Sequence, residues 1–264
     1  MGPKWGDIPE HAGQLAELGF NLVWCSTVED LDAAHALGLR GLSYGLDAGK
    51  IDQPGGEAAL AAYIDNVKDH PAMYGYWVSD EPSAAKFPEL GRLVALIRKL
   101  DPDHMALINL FPTYASAVAL GIPSDPTTPM TNEQRALDTY AGVGYDIRAY
   151  REYLRQFVEI VKPDLISYDH YHFLGELARQ VGSERSVVGS QVRQGDNVQY
   201  FLNLALVREA ALAGGVPFVN VIQACADSPG WRTPNGDEGR FLAFPTLAYG
   251  GQGISQFVYQ AWEG

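Results

Sequence analysis

Short runs of β-branched and aromatic residues alternate with longer amphipathic stretches along most of the chain. Residues 8–18 carry apolar positions at helical spacing and stop at Gly19, which suits a left-handed helix end. Residues 21–25 (NLVWC) follow as a strand, residues 29–37 as a short helix closed by Gly38, and residues 41–45 as a second strand. A helix over 55–70 ends at Pro71, and a strand over 74–78 leads into a loop at Ser79. The pattern repeats with a helix over 87–100, whose apolar positions are Leu90, Leu93, Val94 and Ile97, and a strand over 105–111. Helices over 145–161, 197–213 and 240–249 then precede strands over 164–171, 218–224 and 254–262.

Seven strands separated by helices predict parallel pairing through right-handed crossovers. The expected fold is a (β/α)8 TIM barrel, read as a single catalytic domain over residues 1–264. Its first strand is short or missing, since MGPKW is too brief to supply one. An open doubly wound sheet is the rival, but no GxGxxG follows an early strand. Residues 112–144 and 227–238 break the rhythm, and both follow strand ends, where barrel enzymes build their sites.

Charge narrows the partners. A formal net charge of -13 argues against nucleic acid and anionic membrane surfaces, which need clustered Lys and Arg. No apolar run is long enough to span a bilayer, and the opening MGPKWGDIPEH lacks the basic and apolar regions of a signal peptide. Cys25 and Cys225 form no CxxC and read as buried thiols.

Asp80-Glu81-Pro82 is the sharpest chemical feature. By the strand count it closes strand four of a standard barrel, just after Tyr76 and Trp77, where a carboxyl partly withdrawn from water can serve as a general acid. The bland reading is that Asp80 and Glu81 are first-turn acids ahead of a helix. SYDHYHF places Asp169 and Tyr171 on one face of strand six, with Tyr168, His170 and His172 on the other. These are expected to be sugar-contacting or structural; a metal centre would need a third ligand that no spacing marks. Asn109 ends strand five, Gln223 strand seven, and Tyr259 and Trp262 lie along the last strand. Tyr44, Trp24 and Trp231 are further aromatic candidates.

The run HPAMYGYWVSDEPSAAKFPELGRLVALIRKLDPDHMALINLFPTYA resembles bacterial glycoside hydrolase-like barrel proteins, which pair a strand-four DEP with a helix, a DP turn and an NL.P strand. YREYLRQFVEIVKPDLISYDHYHF and LAYGGQGISQFVYQAW resemble their strand-six and final-strand regions, so the resemblance spans about Gly19 to Trp262. It implies a retaining glycosidase clan in which an acid/base Glu follows strand four, a place that Glu81 fills, and proteins resembling this one are often secreted or periplasmic. That clan has Asn directly before this Glu, where Asp80 stands here. It has a nucleophilic Glu at the end of strand seven, where this chain has Gln223.

An amide cannot form a glycosyl-enzyme ester, so a second carboxylate is required for hydrolysis. Asp169 is the first choice, ahead of Glu238 and Glu263. The expected function is therefore cleavage of O-glycosidic bonds in an oligo- or polysaccharide, by Glu81 and Asp169 without metal or cofactor. Asp80, Tyr44, Trp77, Asn109, Tyr171, Gln223, Tyr259 and Trp262 are the expected substrate-binding residues. Two alternatives remain open: a degenerate barrel that binds a glycan without cleaving it, and a metal-dependent enzyme using Asp169, His170 and His172.

Overall fold

The computed structural model describes residues 8–46, 48–123, 147–175, 197–226 and 231–258. Two compact units emerge: Met1–Asp80 with Pro88–Ile108, and Glu81–Phe87 with Asn109–Gly264.

The first unit begins with α1 (Ile8–Glu17), β1 (Leu22–Cys25), α2 (Val28–Ala36) and β2 (Arg40–Ser43). Thr27 starts α2 through a capping box: its hydroxyl accepts from the Asp30 amide, and the Asp30 carboxylate accepts from the Thr27 amide. Leu31 and Ala34 are thereby turned inward, and α2 packs on β1 and β2. Gly41 makes that packing possible, because a Cβ there would collide with the Leu31 side chain and lie 2.7 Å from Cys25 Sγ. After α3 (Gly56–Val67), β3 spans Met73–Asp80. β1 pairs in parallel with β2, and β2 with β3.

Strand β3 runs two residues beyond the expected Val78. Ser79 and Asp80 look like loop by polarity, yet Asp80 is exposed at the strand end, where a polar side chain costs nothing. Helix α4 (Phe87–Leu100) buries Leu90, Leu93, Val94 and Ile97 as its spacing predicts. Below it, the buried Asp101 carboxylate accepts from Tyr76 Oη at 2.5 Å and from His104 Nδ1 at 2.8 Å.

Strand β4 (Met105–Leu110) passes from the first unit into the second. There its end pairs with β5 (Ile166–His170), β5 with β6 (Phe218–Gln223), and β6 with β7 (Gly253–Phe257), all parallel. Sheet order follows chain order from β1 to β7. Seven strands in this order, alternating with helices, correspond to part of a (β/α)8 barrel; an eighth strand is not among the described residues.

The helices of the second unit are α5 (Ala117–Leu120), α6 (Ile147–Gln156, continued by a π turn over Phe157–Val161), α7 (Asn197–Gly214) and α8 (Gly236–Ala248). α7 packs on β5 and β6, and α8 on β6 and β7. β5 is buried at every residue, as a strand covered on both faces must be. Helix α8 starts four residues before the expected Arg240, because Asn235 caps it and Glu238 returns a bond to the Asn235 amide. Among the described residues no helix is long and apolar enough to cross a membrane. Both cysteines are buried thiols, and burial followed by the nearby Asp30 charge pushes Cys25 up to about 12.

Candidate functional site

The second unit gathers the carboxylates. Glu81 follows the end of β3 with a left-handed φ of 41°, a conformation that favours glycine and strains most side chains. Its amide donates to the Asn109 carbonyl oxygen at 2.8 Å. Asn109, buried near the end of β4, donates from Nδ2 to Asp169 Oδ2 at 3.1 Å and accepts from Ser167 Oγ at 2.9 Å. One asparagine therefore holds the backbone of Glu81 and the side chain of Asp169. Ser167 orients its amide so that the NH2 faces the carboxylate.

Tyr153 is the second shared neighbour. Its hydroxyl donates to the Pro82 carbonyl at 2.7 Å, fixing the turn directly after Glu81. Burial is the largest influence holding this hydroxyl protonated, with Tyr150 next, and the negative charges of Glu81 and Asp169 add to it. Both carboxylates thus act on one phenol. Of the two, Asp169 is buried and Glu81 is partly accessible.

The face of β5 opposite Asp169 carries the histidines. His170 Nδ1 donates to Asn203 Oδ1 at 2.9 Å, and the same oxygen accepts from the Thr113 amide at 3.0 Å. Asn203 Nδ2 donates to Tyr150 Oη, which donates to the Phe111 carbonyl. Burial drives His170 down to about 3, so its ring is neutral. His172 lies among the rings of Phe173, Tyr200 and Phe241. No group of three or more metal-ligating side chains occurs among the described residues.

Gln223, at the end of β6, is buried with its amide committed to the main chain. Oε1 accepts from the Phe173 amide at 2.7 Å; Nε2 donates to the Phe173 carbonyl at 2.9 Å and to the Arg232 carbonyl at 2.7 Å. Tyr171 is buried against Trp231, with ring centroids 4.3 Å apart, and against Phe257. Glu238 is used in the α8 cap and in an ion pair with Arg232. Tyr259, Trp262 and Glu263 lie outside the described residues.

In the first unit, Trp24 in β1, Tyr44 just after β2 and Trp77 within β3 form a ring cluster. Trp24 and Trp77 have centroids 4.2 Å apart, and Tyr44 is exposed. Asp80 is also exposed.

Sequence reasoning did not single out Tyr153, Ser167 or Asn203. Ser167 had one available signal, its place two residues before Asp169 on the same strand face. Tyr153 sits in an amphipathic helix and Asn203 in a more evenly apolar one, and neither carries a local motif.

No protein-family model and no curated protein matches this sequence. Solved structures do match in fold. A candidate α-L-fucosidase from Bacteroides thetaiotaomicron is 10% identical with a TM-score of 0.58, the match covering 97% of this chain and 80% of that one. A glycoside hydrolase family 5 protein from Bacteroides vulgatus is 10% identical with a TM-score of 0.57, over 95% of this chain and 54% of that one. β-Glucuronidase 2 from Bacteroides uniformis is 12% identical with a TM-score of 0.51, over 95% and 28%. The chain spans about a quarter of the glucuronidase and about half of the family 5 protein. It shares the α/β fold of these glycoside hydrolases at low sequence identity.

Proposed function

We propose that this chain is a glycoside hydrolase-like catalytic domain that cleaves O-glycosidic bonds of an oligo- or polysaccharide. Glu81 protonates the leaving oxygen, and Asp169 acts as nucleophile or as base toward water. The observation that carries this reading is the double anchor at Asn109, which fastens the Glu81 backbone and the Asp169 carboxylate to one residue. Glycoside hydrolysis needs two carboxyl groups held in place on either side of the scissile bond, and here the Glu81 backbone and the Asp169 side chain are fastened to the strand between them. A strained backbone at the proposed acid supports it, because such strain concentrates at functional positions. Tyr171 offers ring surface for a sugar, with Asn109 as a polar contact.

Release of reducing sugar from a panel of polysaccharides and aryl glycosides, run with wild type and Glu81→Gln, tests the reading. Release by wild type and at least a hundredfold less by the variant is the expected result, since general acid catalysis contributes about 10²–10⁴. Equal release by both overturns the role of Glu81.

One observation favours a second reading, in which the chain binds a glycan without cleaving it. Gln223 stands where the resembling clan carries its nucleophile. Saccharide binding with no turnover at any pH would select that reading.

A further inference from the structure

Gln223 is the feature that the proposed chemistry leaves unused. Its three side-chain hydrogen bonds reach main-chain atoms on two loops, one following β5 and one following β6. The loops are also joined directly. Leu174 and Trp231 form an antiparallel bridge, and the Arg232 amide donates to the Phe173 carbonyl at 3.2 Å. The Arg232 guanidinium lies over the Phe173 ring at 4.9 Å and pairs with Glu238 in the α8 cap. The loops thus form one strap, and the strap sets Trp231 against Tyr171, two residues beyond Asp169.

We infer that Gln223 is a positioning residue, which locks the two loops together so that Trp231 and Tyr171 present a fixed ring surface beside Asp169. The position requires both an acceptor and two donors, and only an amide side chain supplies them. A carboxylate would keep the bond from the Phe173 amide but would face two carbonyl oxygens. Glutamine here is the residue that the strap demands. That this ring surface receives a sugar rests on the hydrolase reading above; the locking of the strap does not.

The test compares wild type, Gln223→Glu and Gln223→Ala by amide hydrogen exchange and near-ultraviolet circular dichroism. Gln223→Ala should raise exchange at Phe173 and Arg232 about tenfold or more, and Gln223→Glu at Arg232, while peptides from β1, β2 and α3 stay unchanged. Gln223→Glu should also diminish the aromatic dichroism assigned to the Trp231–Tyr171 pair by its loss in Trp231→Phe. It should cause no further change in the Trp231→Phe background. Lowering the pH should restore that band in Gln223→Glu, because a protonated carboxyl regains one donor; Gln223→Ala should show no such recovery.

Unchanged exchange at both amides, or a dichroism loss in Gln223→Glu that does not recover in acid, overturns the inference. New turnover of 4-nitrophenyl glycosides by Gln223→Glu also overturns it, since the position would then be a nucleophile site lacking its carboxylate. If wild type cleaves none of those glycosides, the hydrolase reading weakens while exchange and dichroism still decide the strap.

Discussion

Asn109 Nδ2 donates to Asp169 Oδ2 at 3.1 Å, and both side chains are buried. The Asn109 carbonyl accepts from the Glu81 amide, so this contact ties the two proposed catalytic groups to one strand. Replacing Asn109 by Ala removes the donor and leaves a buried carboxylate without that bond. Hydrogen bonds to charged groups contribute about 1.5–3 kcal/mol, and Asn109→Ala should lose about that much in urea unfolding at pH 7. Turnover should fall with it. A variant that unfolds at the wild-type urea concentration would mean that Asp169 does not depend on this contact.

Glu81 and Asp169 are separable by leaving group. A good leaving group such as 2,4-dinitrophenolate departs without proton donation, so Glu81→Gln should cleave 2,4-dinitrophenyl glycosides far better than it cleaves unactivated oligosaccharides. Asp169→Asn should lose both substrates alike, because attack at the anomeric carbon fails whatever departs. Equal loss on both substrates in Glu81→Gln would remove Glu81 from the acid role.

How far the sequence reveals this arrangement depends on the range of the interaction. The strand and helix alternation was legible because burial on both faces writes itself locally, as in the uniformly buried β5. The opposed faces of Asp169 and His170 follow from a period of two and are seen in their partners, Asn109 and Asn203. Asn203 itself was not legible. It lies in α7, yet its bonds run to Thr113, Tyr150 and His170, residues 33 or more positions away. Gln223 shows the same limit: its place at a strand end was readable, but its three main-chain partners were set by loops with no pattern. The start of α8 was missed although its signal is local, an Asn three residues before a Glu, because Asn-Gly-Asp also reads as a turn.

Backbone strain at Glu81 should be visible as a stability–activity trade-off. At φ of 41° a side chain with a Cβ costs about 1–2 kcal/mol, whereas Gly adopts this region freely and loses about 0.5–1 kcal/mol through chain entropy. Glu81→Gly should therefore gain about 0.5–1 kcal/mol, raising Tm by roughly 1–4 °C in a chain of this size, while abolishing turnover. Asp80→Gly, in the extended strand next door, should lower Tm instead. Loss of stability in Glu81→Gly would show that its side chain contributes more than its backbone costs.

The acid side of the stability profile should rest in part on Asp101. Burial is the largest influence on this carboxyl and pushes it up. The hydrogen bonds from Tyr76 and His104, the charge of His104 and the Asp103 amide together outweigh burial, so Asp101 titrates below its usual range. A carboxyl whose pKa is lower in the folded than in the unfolded chain stabilises fully above the unfolded value of about 3.9. That contribution is lost as pH falls through the folded value. Asp101→Asn replaces a double acceptor by a group that turns an NH2 toward one of its donors. It should cost about 1.5–3 kcal/mol at pH 7, where the native carboxylate bonds are intact. As pH falls through the folded value the two proteins should converge, because wild type loses what the variant never had. Urea unfolding of both proteins from pH 7 down into acid, below the usual carboxyl range, checks this. A difference that stays constant across that range would mean the Tyr76–Asp101–His104 contacts stabilise through shape rather than charge.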